Sequence, residues 1–164
     1  AALVCILVIL IVRMVKRSAK YKAIGGDSFA AELEEYSNDA EAPYGIACEL
    51  RDKGDCRGSF RYLFISLLVL FGLHGIIEIH KSKTNRRYLA EIKQESAELF
   101  AMSQCFFESF NLYWYGGRGI DAEELSEWFK RYDENAAFAA KLEKSIKSAA
   151  EDGNRRAAKA VKRK

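Results

Sequence analysis

The chain has 164 residues, 49% hydrophobic and 30% charged, with a net charge of +3, one proline and four cysteines. With so few helix breakers, and with Ala, Leu, Glu and Lys abundant, its polar parts are expected to be helical. No alternating pattern around Asn-Gly or Asp-Gly argues for a β-hairpin, and no nucleophile–base pair, phosphate loop or metal cluster argues for an enzyme.

Residues 1–12 are apolar apart from Cys5, and Arg13, Lys16 and Arg17 end the run. A secretory signal would place its cations before the apolar core and a small-x-small site after it, so the order here is wrong for one. A transmembrane helix over 1–15, about 22 Å long and trimmed at its start, is expected. The alternative is a core helix, but the run is apolar on every face rather than on one. The chain begins without methionine, and removal of a transit sequence is the expectation drawn from that.

Residues 16–61 read as a polar loop. From Arg13 to Arg61 it carries nine cations and nine acids. Gly25 and Gly26 break the first helix, and Asp27 or Ser28 caps a short one with Phe29, Leu33 and Tyr36 on one face. Ser37, Asn38 and Asp39 end it, and Pro43 opens an irregular stretch through Gly58. Cys48 and Cys56 lie in that stretch, seven residues between them. A disulfide is feasible there and would place the loop in an oxidising compartment; two reduced thiols are the equal alternative. The spacing excludes a CxxC zinc knuckle.

Residues 62–79 form the longest apolar run, with Glu78 its only carboxylate and no cation. As a helix it spans roughly 27 Å, close to the hydrocarbon thickness of a bilayer. Arg57 and Arg61 precede it; Lys81, Lys83, Arg86 and Arg87 follow. A second transmembrane helix over 62–80 is expected. His74 lies inside it between Gly72 and Gly75, and an ionisable residue at that depth is a candidate functional site. A neutral imidazole can ligate haem iron or chlorophyll magnesium; the other reading is a bond to a neighbouring helix. Ser66, Gly72 and Gly75 thin one side for close helix approach.

Residues 81–152 read as an aromatic-rich antiparallel helical hairpin. Leu89, Ile92, Leu99, Phe106, Phe107, Phe110 and Trp114 make one stripe; Leu125, Trp128, Phe129, Tyr132, Ala136, Ala139 and Leu142 make the next. Gly116, Gly117 and Gly119 force the turn between them. A two-helix hairpin has no third layer, so Phe106, Phe110, Trp114, Trp128, Phe129 and Tyr132 are expected to dock on a partner.

Residues 120–125, after that glycine turn, resemble the end of an EF-hand calcium loop, a likeness covering about a dozen residues. With Glu124 as the twelfth position, the first, third, fifth and sixth are Tyr113, Tyr115, Gly117 and Arg118, so the early oxygen ligands and the glycine are missing. A capping box of Asp121 with Glu124, stapled by Ile120 and Leu125, accounts for the same residues.

Residues 153–164 form a basic tail with Arg155, Arg156, Lys159, Lys162, Arg163 and Lys164 and no acid. Anionic lipid or an acidic partner is the expected contact, and no aromatic is interleaved for nucleic-acid stacking. The expectation is an all-α membrane protein with two transmembrane helices and a C-terminal hairpin. It would serve as a non-catalytic accessory subunit of a hetero-oligomeric membrane complex. A respiratory or photosynthetic complex of an organellar inner or thylakoid membrane is favoured over the plasma membrane. The alternatives are a membrane-anchored adaptor with a basic tail and, behind it, a calcium-responsive regulator.

Overall fold

A computed structural model of the protein describes residues 27–161. The first expected span, Cys5 within it, the basic stretch before Gly25, and Lys162, Arg163 and Lys164 lie outside the described residues. The described chain is all-α: α1 (Asp27–Glu35), α2 (Glu41–Asp52), α3 (Cys56–Leu73), α4 (Asn85–Glu95), α5 (Ala97–Phe110), a π turn (Asn111–Tyr115) and α6 (Ala122–Val161).

Local chemistry sets most of these boundaries. Asp39 Oδ1 accepts from the Glu41 and Ala42 amides at 3.0 and 3.2 Å and opens α2. Pro43 falls in the first turn of α2, where a missing N–H leaves no helical bond unmade; it starts a helix rather than the irregular stretch expected. Asp55 caps α3 through the Gly58 amide at 2.9 Å. Ser96 caps α5 through Leu99 at 3.1 Å, which breaks the stripe into α4 and α5.

α3 is the centre of the fold. α1, α2, α5, the π turn and α6 all pack on it. Leu63, Phe64, Ile65, Leu67, Leu68, Val69 and Phe71 are fully buried, while Tyr62, Leu70 and Leu73 leave one stripe of the helix partly open. Its rings interlock with those of three other helices: Phe64 lies 4.4 Å from Phe110, 5.0 Å from Phe107 and 6.0 Å from Phe29, and Phe60 lies 5.1 Å from Trp128. Burying one such side chain contributes roughly 2–3 kcal/mol.

Neighbouring elements run in defined directions along α3. Ser59 donates to the Ala47 carbonyl and Ser66 to the Ala40 carbonyl, each at 2.7 Å, so α2 is antiparallel to α3. Phe60, Ser66 and His74 meet Trp128, Tyr132 and Glu143 in the same order, so α6 runs parallel to it.

The helix at the span expected over 62–80 has other bounds. The helix is Cys56–Leu73, and Gly75 (φ 70°) turns the chain just past its end. Among the described residues it is the one helix long and apolar enough to cross a membrane, yet 61% of it is buried inside the fold. Other helices cover most of its circumference. The hairpin expected over 81–152 is likewise replaced by α4, α5, the π turn and α6, with α6 packed chiefly along α3.

Candidate functional site

The first half of α3 carries the most unusual chemistry. Arg61 is 4% exposed, and its Nη1 pairs with Glu32 of α1. Its guanidinium lies 4.8 Å from the Trp114 ring centroid, 5.5 Å from Tyr62 and 5.9 Å from Phe29. Nε and Nη2 have no hydrogen-bond acceptor among the described residues, so the rings and Glu32 carry this charge. One turn earlier Arg57 donates to the Trp114 carbonyl at 2.5 Å and lies 5.1 Å from its ring. Two arginines one turn apart on α3 therefore both hold Trp114 of the π turn.

The π turn itself is pinned from α6. Tyr113 is 2% exposed, and its hydroxyl donates to Glu124, which also meets Arg118 at 3.4 Å. Burial, and then the Glu124 carboxylate, push the Tyr113 phenol above its ordinary range. Asp121 accepts from the Glu124 amide at 2.8 Å, as expected of an N-cap. The carboxylate that the EF-hand likeness would assign to calcium is bonded to Tyr113 and Arg118.

At the other end of α3, His74 is its C-cap and is only partly buried. Its Nδ1 lies 2.6 Å from Glu143 Oε2, and Glu143 also pairs with Lys147. Lys147, then His74, hold the Glu143 carboxyl below its usual range. The expected mid-membrane ligand for haem or chlorophyll is thus a helix end joined to α6. Beside it an open cleft of about 530 Å³ is lined by Gly72, Gly75, Ile76, Glu78 and Glu91, among others. Lys83 spans Glu91 at 2.8 Å and Glu78 at 3.4 Å at its rim.

The rings expected to dock a partner are corrected. Phe106 and Phe110 are fully buried, Trp128, Phe129 and Tyr132 are 8%, 8% and 6% exposed, and Trp114 is half-buried. α3 is the third layer that a two-helix hairpin lacked. Cys48, Cys56 and Cys105 are free thiols; Cys48 sits inside α2, and Cys56 opens α3 beyond the Lys53–Gly54 turn. Arg155, Arg156 and Lys159 lie on the last turns of α6, which continues through Gly153 where a separate tail was expected. The Arg-Arg-Ala-Ala-Lys-Ala run is rich in helix formers, which accounts for it.

Sequence reasoning missed Arg61, Glu32 and Tyr113. Arg61 was read as a membrane flank, and no local signal pairs it with Glu32 across 29 residues. Compared with known proteins, the chain matches no protein family, no curated protein and no solved structure.

Proposed function

We propose that the chain is a non-catalytic docking module. Residues 1–15 tether it to a membrane, the helices around α3 form its head, and the basic end of α6 receives an acidic partner. The observation that carries this reading is the reach of α6. It is a single helix of 40 residues, about 60 Å long. Its last described contact with another element is Glu143 with His74; Lys144, Ser145, Lys147 and Ser148 are exposed. The helix then continues to Arg155, Arg156 and Lys159, and three more cations end the chain. A cluster of six cations without an acid attracts an anionic surface by about 1 kcal/mol each at close range.

The accessory-subunit reading drew on rings left open to water, and those rings are internal. The adaptor reading takes its place because it needs only the tether and the basic arm. The test is extraction of the full chain from its native membrane in mild detergent. At low salt the chain is expected to migrate with an acidic partner and to separate as salt is raised, since such contacts are screened. A chain with Arg155, Arg156 and Lys159 all replaced by Glu is expected to migrate alone. Wild-type chain migrating alone at low salt overturns the reading.

A further inference from the structure

We infer that the π turn between α5 and α6 is a membrane-interface contact, set into the headgroup region of the bilayer that holds the tether. The inference rests on the reading of residues 1–15 as that tether.

Exposure is the first observation. Among the described residues the large apolar side chains most open to water are Leu73, Leu112 and Tyr115, at 51%, 42% and 57%. Two of the three lie in this one five-residue turn, with half-buried Trp114 between them. Gly116 and Gly117 follow directly, so exposed Leu112 and Tyr115 stand at the bend that ends the turn, while Tyr113 points inward. That bend cannot relax into a smooth helix with a larger residue. A Cβ on Gly116 would meet the Leu112 carbonyl oxygen at 2.6 Å, and Gly117 has φ 71°.

Composition is the second. Trp and Tyr have an apolar ring and a polar edge, which suits the boundary between headgroups and acyl chains. Arg57 lies against Trp114, and Arg118, its side chain 55% exposed, lies 5.6 Å from the Tyr113 ring centroid. Cations beside interfacial aromatics are placed to meet lipid phosphates.

Position is the third. Phe110 lies 6.0 Å from Tyr115 and 4.9 Å from Phe29 of α1. The described chain therefore starts, two residues before Phe29, beside the turn. Between Val15 and Asp27 lie Lys16, Arg17, Lys20 and Lys22, and fully stretched this stretch reaches at most about 40 Å. The described chain thus begins on the side of the head that carries Tyr115, which brings that side within reach of a bilayer holding the tether. α6 starts at the same bend and carries its basic end away from it.

The test uses the full chain in vesicles of phosphatidylcholine with a minority of phosphatidylglycerol, the acyl chains brominated near the headgroups. Flotation reports the tether, and quenching of tryptophan emission reports the turn. Trp114 is expected to be quenched, and a Trp114→Phe chain, which keeps buried Trp128, is expected to lose most of that quenching. A chain carrying Leu112→Ser and Tyr115→Ser is expected to float as before with quenching at least halved. Flotation without quenching in the wild type overturns the inference and leaves the tether standing, and assigns the turn to a protein partner. Failure to float overturns both.

Discussion

Tyr132 of α6 and Ser66 of α3 meet hydroxyl to hydroxyl at 2.8 Å in the buried interior. Ser66 donates its own proton to the Ala40 carbonyl at 2.7 Å, so Tyr132 is the donor to Ser66. One relay thus joins the long helix, the central helix and the start of α2. Ser66→Ala leaves the Tyr132 hydroxyl unsatisfied and the Ala40 carbonyl with only the Tyr44 amide at 3.3 Å, whereas Tyr132→Phe leaves the Ser66 bond to Ala40 intact. We expect Ser66→Ala to cost about 2–3 kcal/mol and Tyr132→Phe about 1 kcal/mol. Urea unfolding of both and of the double variant checks this. The double variant should cost less than the two singles summed, because one penalty is shared. Strict additivity would dissolve the relay.

The same relay predicts alkaline sensitivity. Burial pushes the Tyr132 phenol up to about 12. The folded chain therefore holds this proton more tightly than the unfolded chain, whose tyrosines titrate near 10. The stability tied to it is fully present below about pH 10 and is lost as pH rises from there towards 12. Burial also moves Tyr44, Tyr88 and Tyr113 upward, in the same sense. Urea midpoints should fall above pH 10, and the fall should be shallower in Tyr132→Phe. Equal slopes in the two chains would remove Tyr132 from the account.

Arg61 and Glu32 differ in burial, and that difference sets an order of costs. The Arg61 side chain is 5% exposed and that of Glu32 is 23% exposed. Glu32→Ala leaves a buried cation facing only rings, and costs about 3–5 kcal/mol. Arg61→Met removes the charge, keeps much of the apolar length against Trp114 and Phe29, and leaves Glu32 able to reach water. It should cost less than Glu32→Ala by 1 kcal/mol or more. Thermal unfolding of the two variants gives the order; the reverse order would mean that Glu32, not Arg61, is the stranded charge.

How much of this was legible in sequence depends on what pattern can carry. The α6 stripe was readable because Leu125, Trp128, Phe129, Tyr132 and Ala139 repeat at helical spacing and all are buried. α3 was readable as a helix but not in its surroundings. Leu63 through Val69 would be equally apolar among lipid tails or among other helices, since both remove the same surface from water. The residues of α3 that tie it to its neighbours are Ser59, Arg61 and Ser66, buried polar groups whose partners come from α1, from α2 and the residue before it, and from α6. Those partners are distant in sequence. The break at Ser96 was locally signalled by a serine cap with Glu98 in the first turn, yet the apolar period runs on across it and hid the signal.

Glu143 holds two partners that do different work. Lys147 lies one turn along α6, and their ion pair stays within that helix. His74 belongs to the end of α3, so its bond to Glu143 ties α6 to the head. Both partners lower the Glu143 carboxyl, Lys147 the more, so the stability it contributes is present above the ordinary carboxylate range. That contribution is lost as pH falls through the lowered value. Lys147→Ala should therefore raise the Glu143 titration, read by carboxyl NMR, more than His74→Ala does. Amide exchange should show the opposite ranking. With intrinsic rates corrected, α6 amides around Leu142 should open faster in His74→Ala and stay near wild type in Lys147→Ala. If both variants opened the helix alike, the tie to α3 would be doing nothing that the intrahelical pair does not. The basic arm would then be held by the buried stripe of Leu125, Trp128, Phe129, Tyr132 and Ala139 without help from His74.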